Sequence, residues 1–244
     1  MIVVHKNIGE TPLECLERTR LLKGIATDVS MTYAGRLDPL ACGKLLILVG
    51  DECKEKEKYI GLDKEYEIEV LFGVKTDTGD ALGLITEIGS WTDPRSDLCT
   101  EVRPWTKFCG KFTQVYPAYS SKTVAGRQLH NLARSGDLPD EMPTKGVEIY
   151  SIEELVKNEI NGHDITKQAV LNVSKVKGDF RQKEIIVGWR KFKEECSDKR
   201  YLRLKLRIRC SSGTYMRSFA ERIGKEAGTV AFTYSINRTK IGEF

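Results

Sequence analysis

Near the C-terminal end of this chain of 244 residues, aliphatic side chains alternate with cations over a long stretch, and this pattern restricts the local fold. The aliphatic residues are Leu202, Leu204, Leu206 and Ile208, and the cations between them are Arg203, Lys205, Arg207 and Arg209. Because successive side chains of a strand point to opposite faces, the pattern predicts a strand with one apolar face and one cationic face. The cationic face is either solvated sheet surface or a surface that neutralises the phosphates of a nucleic acid.

The other local patterns alternate between helix and strand along the chain. A capping box at residues 11–14 opens a helix that ends near Gly24. Two more helices are predicted, each followed by a glycine: residues 128–135 before Gly136 and residues 215–227 before Gly228. Strands are predicted at residues 44–50, 66–72 and 84–87, and residues 89–107 are the least regular connection. This interleaving predicts one mixed α/β (α+β) domain.

The composition narrows the class of protein. The net charge is +4 and 40% of the residues are hydrophobic, which is typical of a globular chain. The longest apolar run, residues 45–49, is too short to cross a bilayer, and the first residues lack the order of a signal peptide. We therefore expect a cytoplasmic protein without a membrane partner. Seven scattered cysteines and three histidines have neither disulfide nor metal-ligand spacing, so no metal site is predicted and the chemistry should depend on carboxylates.

Residues 35–43, Gly-Arg-Leu-Asp-Pro-Leu-Ala-Cys-Gly, contain more than a core strand requires. Asp38 precedes a proline, which disfavours the helical conformation, and a glycine at each end allows tight turns and close approach of a ligand. Asp38 is therefore expected on a rigid loop beside the predicted strand at residues 44–50. An ordinary Asp-Pro turn is the alternative interpretation.

Several motifs in a fixed order make the chain similar to the TruB pseudouridine synthases, whose bacterial members modify tRNA. The catalytic motif of that family corresponds to residues 35–43. The other corresponding segments are residues 64–66, 73–80, 114–120, 126–136, 210–218 and 237–242. The resemblance is spread over most of the chain, so it does not depend on any single short motif.

The resemblance implies a fold, a reaction and a substrate. The expected fold is the pseudouridine synthase fold, with a central mixed, mostly antiparallel sheet flanked by helices and loops. We expect one catalytic domain over residues 1–244, an RNA-binding insertion around residues 108–145, and no C-terminal PUA domain. The implied reaction needs no cofactor: the N1–C1′ bond of a uridine breaks, the base turns, and C5 bonds to C1′. The implied partner is the T stem-loop of tRNA, with its uridine at position 55, and the implied enzyme is a monomer that needs no obligatory protein partner.

Family correspondence also implies individual roles. Asp38 is the expected nucleophile, Arg217 is its charged partner, and Tyr66 stacks on the flipped uridine and helps to move a proton at C5. The residues expected to bind RNA are Tyr33, Arg36, Lys64, Lys122, Arg127, Arg134, Arg203, Lys205 and Arg207. Alternatively, Tyr66 is a core aromatic and Arg217 is a phosphate ligand at a helix N-terminus.

Three positions depart from the family pattern. Tyr33 stands where the family has a histidine, Arg36 replaces a small or polar residue, and Lys122-Thr123 replaces Leu-Lys. We hypothesise that Tyr33 and Arg36 share the base-flipping role, since a phenol ring can fill the vacated space and a guanidinium can stack and hydrogen-bond at once. The alternative is that Tyr33 packs under the catalytic loop and Arg36 pairs with a nearby acid.

Three other functions stay open at this point. Arg36-Leu37-Asp38 resembles the motif of ribosomal-RNA pseudouridine synthases, although the segments at residues 76–80 and 114–136 argue against that substrate. Asp77-Thr78-Gly79 matches the aspartic-protease triplet, which needs a second carboxylate that shares a proton. A non-catalytic module that binds RNA or assists tRNA folding would use the same cationic surface, and only turnover separates it from an enzyme.

Overall fold

The strand with alternating aliphatic and cationic residues lies inside one large sheet. The computed structural model describes residues 1–89 and 105–244, and most of the predicted irregular connection at residues 89–107 lies outside them. The strands are β1 (Ile2–Lys6), β2 (Met31–Ala34), β3 (Cys42–Val49), β4 (Lys64–Phe72), β5 (Val74–Thr76), β6 (Ile85–Ile88), β7 (Gly110–Val115), β8 (Thr123–Val124), β9 (Arg127–Gln128), β10 (Thr144–Asn161), β11 (Arg200–Cys210) and β12 (Ala231–Ile241). Eight of them form a sheet in the order β1-β3-β12-β4-β11-β10-β7, with β2 paired to β3. The pairs are antiparallel except β3 with β12, which confirms the expected mixed, mostly antiparallel sheet.

Helices flank this sheet. They are α1 (Pro12–Leu22), α2 (Lys56–Ile60), α3 (Leu129–Ser135), α4 (Gly162–Val173), α5 (Gln182–Cys196) and α6 (Met216–Glu226). The predicted capping box is confirmed, because the Thr11 hydroxyl accepts from the amide of Glu14 and the Glu14 carboxylate accepts from the amide of Thr11. Gly136 and Gly228, after α3 and α6, have positive φ angles, as predicted. Within the described residues, no helix is long and apolar enough to cross a membrane.

Helix α6 covers the apolar face of the central strands. The aliphatic residues of β11 contact apolar residues of β4 and α6 in one buried cluster. The contributors from the three elements are Tyr66, Ile68, Val70, Phe72, Leu202, Leu204, Leu206, Ile208, Met216, Phe219, Ala220 and Ile223. The period of two therefore separates the faces of β11 as predicted, and the buried face positions α6.

A helical hairpin that was not predicted lies between β10 and β11. Helices α4 and α5 pack on each other and on the opposite face of the sheet, where Leu71, Tyr201 and Phe232 are buried. Trp189 of α5 is fully buried, and its indole N–H donates to the carbonyl of Ala81 at 3.1 Å. The chain between β10 and β11 therefore covers this face of the sheet.

Residues 35–43, which correspond to the catalytic motif of the TruB family, are here called the catalytic loop. The parallel contact between β3 and β12 brings the end of this loop against β12. It pairs Cys42 with Asn237 and Gly43 with Arg238. Gly43 has a φ of +106°, and a β-carbon there would lie 2.6 Å from both the Arg238 amide nitrogen and the Asn237 side-chain oxygen. Only glycine satisfies both the conformation and the close approach.

We predict that Gly43→Ala lowers the free energy of unfolding by about 3 kcal/mol or more, because both backbone strain and steric overlap must be relieved. Gly50→Ala is the matched control, since Gly50 also has a positive φ but no atom lies within 4 Å of a β-carbon there. The control should cost about 1 kcal/mol. Urea unfolding of both variants measures the difference, and equal costs would contradict the steric argument.

Candidate active site

Asp38 forms a bidentate ion pair with Arg217, which lies in the first turn of α6. The carboxylate of Asp38 accepts from Nε of Arg217 at 2.8 Å and from Nη2 at 3.0 Å. Arg217 is only 3% exposed, whereas one third of the Asp38 side chain, 33%, is accessible. The pair predicted from family correspondence is therefore present in the structure, and it joins a partly accessible aspartate to a buried arginine.

The remaining donors of Arg217 bind main-chain carbonyls. Nη1 donates to the carbonyl of Thr78 at 2.7 Å, and Nη2 donates to that of Tyr119 at 3.1 Å. Burial disfavours the charged guanidinium, but attraction to Asp38 and to Asp80 outweighs burial and raises the pKa of Arg217. Arg217 thus stays charged and joins three separate segments of the chain.

Asp80 is a second carboxylate beside Arg217, and the sequence did not identify it as a site residue. Its Oδ1 accepts from the hydroxyl of Thr78 at 2.8 Å and from the amide of Leu82 at 2.9 Å. Burial raises the pKa of the Asp80 carboxyl to about 6, Asp38 adds to the rise, and Arg217 opposes it. The cluster therefore holds two carboxylates of different character, one accessible and one buried, around a single guanidinium.

A buried lysine holds the C-terminal side of the catalytic loop. The ammonium of Lys6 donates to the carbonyls of Ala41 at 2.6 Å, Asn7 at 3.0 Å and Pro39 at 3.3 Å. Burial lowers the pKa of Lys6 to about 8. These bonds fix the backbone directly after Asp38.

A buried arginine holds the N-terminal side of the same loop. Arg238 donates to the carbonyls of Lys44 at 2.8 Å, Gly35 at 3.1 Å and Arg36 at 3.2 Å. Its side chain is among the largest that are fully buried. Lys6 and Arg238 together restrain the loop on both sides of Asp38, so the carboxylate does not depend on Arg217 alone for its position.

Tyr66 lies on β4 below the catalytic loop, in the cluster that includes Leu37 and Ala41. The ring is mostly buried, and burial raises the pKa of its hydroxyl, which keeps the phenol neutral. Both Arg238 and Asp38 act electrostatically on this hydroxyl. The structure thus brings Tyr66 to the same site as Asp38 and Arg217.

The segment around residues 108–145 begins at edge strand β7 and is fixed to the site by a buried glutamine. The Gln114 side chain donates to the carbonyl of Tyr215 at 2.9 Å and accepts from its amide at 2.8 Å. The rings of Tyr116 and Tyr215 also meet edge to face, with centroids 5.6 Å apart. These contacts place the segment against the start of α6, two residues from Arg217.

Three predicted RNA-binding residues of this segment, Lys122, Arg127 and Arg134, are exposed. Lys122 lies 5.4 Å from the centroid of the Tyr116 ring. Arg127 forms an ion pair of 3.2 Å with Asp137. Arg134 donates to the carbonyl of Asp179, at the tip of the α4–α5 hairpin. All three cations are accessible to solvent, although Arg127 and Arg134 also bind groups of the protein itself.

Tyr33 and Arg36 occupy different environments. Tyr33 is half-buried beside the apolar cluster formed by α1 and β3, with the ammonium of Lys56 5.5 Å from its ring centroid. The Arg36 side chain is exposed, two residues before Asp38, and its carbonyl is bound by Arg238. The two side chains thus differ in burial, and their shared role in base flipping stays a prediction.

The structure corrects the interpretation of Lys64. Its side chain is buried, and its ammonium donates to the carbonyls of Ile60, at 2.6 Å, and Leu62. Burial lowers the pKa of Lys64 to about 8. An ammonium occupied in this way does not reach the surface, so Lys64 fixes the start of β4 rather than contacting phosphate.

The cationic face of β11 is also corrected. Arg203, Lys205 and Arg207 lie on the face of the sheet opposite α6, and glutamates of the neighbouring strands neutralise them. The ion pairs join Arg203 to Glu69 at 3.6 Å, Lys205 to Glu67 at 2.8 Å, and Arg207 to Glu67 at 3.0 Å and Glu153 at 2.7 Å. The solvated sheet surface is therefore the interpretation that the structure supports, and this row lies away from Asp38.

Asp77 does not form the carboxylate pair of an aspartic protease. Its two oxygens accept from Arg181 at 2.7 and 3.2 Å, and Oδ1 also accepts from the amide of Leu84 at 2.8 Å. A carboxylate held by a guanidinium has no need to share a proton with a second acid. The protease alternative is therefore not supported.

Residues 23–180, more than half of the chain, match the family model described as TruB family pseudouridylate synthase (N terminal domain). The chain belongs to the TruB family. tRNA pseudouridine synthase B of Dechloromonas aromatica (strain RCB) is 29% identical over 243 residues, covering 100% of this chain and 65% of the relative. tRNA pseudouridine synthase B of Nostoc sp. (strain PCC 7120 / SAG 25.82 / UTEX 2576) is 30% identical over 244 residues, covering 100% and 67%.

A solved structure shares the fold of this TruB-family chain. A chain in the crystal structure of a Cbf5-Nop10-Gar1 complex aligns with a TM-score of 0.57 and 16% identity. The alignment covers 99% of this chain and 49% of the other, so this chain spans about half of that neighbour and about two thirds of the two bacterial relatives. At this identity the likeness shows the fold alone, and it agrees with the expected pseudouridine synthase fold.

Sequence reasoning missed the buried polar residues that organise the TruB site. Lys6, Asp80, Gln114 and Arg238 all lie below the surface and bind main-chain or charged groups. Asp80, Gln114 and Arg238 lie within segments that correspond to family motifs, but nothing local distinguished them from exposed neighbours. Their roles depend on partners that are distant in sequence, which a single sequence does not reveal.

The buried carboxyl of Asp80 gives a prediction for stability against pH. Because its pKa is raised from 3.8 to about 6 on folding, the folded state binds more protons than the unfolded state between those values. Asp80 therefore makes the free energy of unfolding fall as pH rises from about 4 to about 6, by up to about 3 kcal/mol. Urea unfolding of wild type and Asp80→Asn at several pH values should show the difference between them changing in this direction. A difference that does not vary with pH would contradict the assignment.

Proposed function

We propose that this protein converts a uridine of tRNA to pseudouridine, with Asp38 as the nucleophile. The observation that carries the proposal is the accessible carboxylate of Asp38, held by the buried guanidinium of Arg217. A carboxylate oriented by a bidentate partner and open to solvent is suited to attack on a nucleoside. The two bacterial relatives are both named tRNA pseudouridine synthase B, which supports tRNA as the substrate class.

The atoms and electrons of the proposed reaction balance without a cofactor. The glycosidic bond between N1 and C1′ breaks, and a bond forms between C5 and C1′. C5 loses a proton and N1 gains one, so the product is an isomer of the substrate. Asp38 acts covalently during the exchange and is released at the end, while Arg217 stays charged throughout because its pKa is raised.

Tyr66 forms the apolar floor of the proposed uridine site. Because burial keeps its phenol neutral, the ring can stack on an uncharged base without bringing a charge into the site. Its hydroxyl, close to Arg238, is the group proposed to assist proton movement at C5. The motif that contains Tyr66 supports this role.

The proposed RNA surface follows the rim of the site rather than the far face of the sheet. Arg36 lies on the catalytic loop, and Lys122, Arg127 and Arg134 lie on the segment around residues 108–145. All four side chains are exposed. We propose the T stem-loop of tRNA as the element that contacts this rim, and a monomer as the active form.

The experiment that tests the function is tritium release from C5-labelled uridine in unmodified tRNA, followed by mapping of the modified position. Asp38→Asn should reduce turnover by about three orders of magnitude or more, since the nucleophile is lost. It should leave RNA affinity nearly unchanged, because affinity comes from phosphate contacts. Asp51→Asn, which alters an exposed carboxylate, is the control.

Each negative result has a distinct meaning. RNA binding without turnover by the wild type would identify a non-catalytic RNA-binding module. Modification of ribosomal RNA and not of tRNA would keep the reaction and replace the substrate. Substantial turnover by Asp38→Asn would remove Asp38 from the mechanism.

Arg36 and Tyr33 should behave differently in a test of base flipping. We expect Arg36→Ala to lower kcat/KM about 10- to 100-fold on intact tRNA, because flipping costs a few kcal/mol that the exposed guanidinium helps to recover. The loss should be small on RNA whose target uridine is already unpaired. Tyr33→Ala should lower the melting temperature and affect both RNAs equally, since Tyr33 packs against α1 and β3. Equal losses on both RNAs for Arg36→Ala would contradict its flipping role.

A further inference from the structure

The turn between α4 and α5, together with the first two residues of α5, is here called the hairpin tip (residues 174–183), and it contacts Gly9, which binds the catalytic loop. Gly9 has a φ of +94°, and a β-carbon there would lie 2.6 Å from Cβ of Lys175, so the two backbones are in close contact. The amide of Gly9 donates to the carbonyl of Pro39 at 2.9 Å. Pro39 directly follows Asp38, so Gly9 connects Lys175 at one end of the tip to the residue next to the proposed nucleophile.

The other end of the hairpin tip is bound to the segments that hold Arg217. Arg181 forms a bidentate ion pair with Asp77, and its guanidinium carbon lies 4.6 Å from the centroid of the Tyr119 ring. Arg217 binds the main-chain carbonyls of Thr78, which follows Asp77, and of Tyr119. The tip is thus connected to each side of the Asp38–Arg217 pair.

The hairpin tip has an ordered backbone conformation. The side chain of Gln182 donates to the carbonyls of Val176, at 3.1 Å, and Gly178, at 2.7 Å, and accepts from the amide of Phe180 at 2.9 Å. Arg181 adopts a φ of +60°, which is unfavourable for a residue with a side chain. Such a conformation persists where surrounding contacts enforce it, and here these are the ion pair with Asp77 and the stack on Tyr119.

Three lysines of this ordered tip face solvent. Lys175, Lys177 and Lys183 are exposed, and none forms an ion pair within the described residues. The lysine and arginines on the far face of the sheet are different, because Glu67, Glu69 and Glu153 neutralise them. Cations without acidic partners are the ones that can replace the counterions of a nucleic acid.

From these contacts, we infer that the hairpin tip is an RNA-binding arm that contacts the phosphates flanking the target uridine. The inference rests on the proposed function, which brings an RNA to Asp38. When a flipped base enters the site, the phosphates on either side of it must lie on the rim. Lys175, Lys177 and Lys183 supply positive charge at the tip, which lies against Gly9 and against Arg134 of the segment around residues 108–145.

The test compares two triple variants that remove the same charge from the same hairpin. The tip variant carries Lys175→Ala, Lys177→Ala and Lys183→Ala. The control variant carries Lys191→Ala, Lys193→Ala and Lys199→Ala, at exposed lysines towards the hairpin base. Lys191 is the nearest of them to the tip, and it follows Lys183 by eight residues of α5, about 12 Å along the helix, which exceeds the Debye length of about 10 Å at 0.1 M salt.

Binding of unmodified tRNA is measured at several salt concentrations, together with tritium release. The tip variant should bind about 10-fold more weakly at low salt, and the slope of log affinity against log salt should be smaller by about 2 to 3. Its kcat at saturating tRNA should match the wild type, because these lysines do not touch the reacting atoms. The control variant should retain the wild-type affinity and slope.

An unchanged slope in the tip variant overturns the inference, and so does an equal loss in the two variants, which would indicate only a general effect of net charge. These results are distinguishable from failure of the proposed function. That failure appears as absence of tritium release by the wild type, whereas the binding comparison does not depend on turnover.

Discussion

The buried guanidinium of Arg217 is the interaction on which the arrangement of the site depends. A buried charge costs several kcal/mol unless its donors are paired, so each partner of Arg217 has to be in place when the chain is folded. Those partners are Asp38, Thr78 and Tyr119, which come from three segments far apart in the sequence. Satisfying this one side chain therefore fixes the catalytic loop, the loop after β5 and the segment around residues 108–145 relative to α6.

The catalytic loop is held by further buried cations instead of by regular secondary structure. Lys6 binds carbonyls after Asp38, and Arg238 binds carbonyls before it. Loop carbonyls inside a protein need donors, and long cationic side chains can supply several from one position. The Asp38 side chain can thus be partly accessible to solvent while its backbone is fixed, which is the combination that the proposed nucleophile needs.

Position determines what each cation of this protein does. The sequence contains 39 lysines and arginines and 35 acidic residues, so the net charge says little about function. Buried cations such as Lys6 organise the backbone, and those on the outer face of β11 pair with glutamates. The three lysines of the hairpin tip have no acidic partner in the described parts of the chain. The basic surface available to RNA is consequently a property of the fold and not of the composition.

The sequence by itself determined the features that depend on neighbouring residues. The period of two in β11, the capping box of α1 and the terminating glycines of α3 and α6 were predictable because backbone geometry sets them locally. The motif around Asp38, with its resemblance to the TruB family, was also sufficient to nominate Asp38, Tyr66 and Arg217. Only the tertiary structure showed that Arg203, Lys205, Arg207 and Lys64 are occupied within the protein, and that Lys6, Asp80 and Arg238 support the site. The physical reason is that pairing, burial and pKa depend on partners brought together from distant parts of the chain, such as Asp38 and Arg217, which are separated by 179 positions.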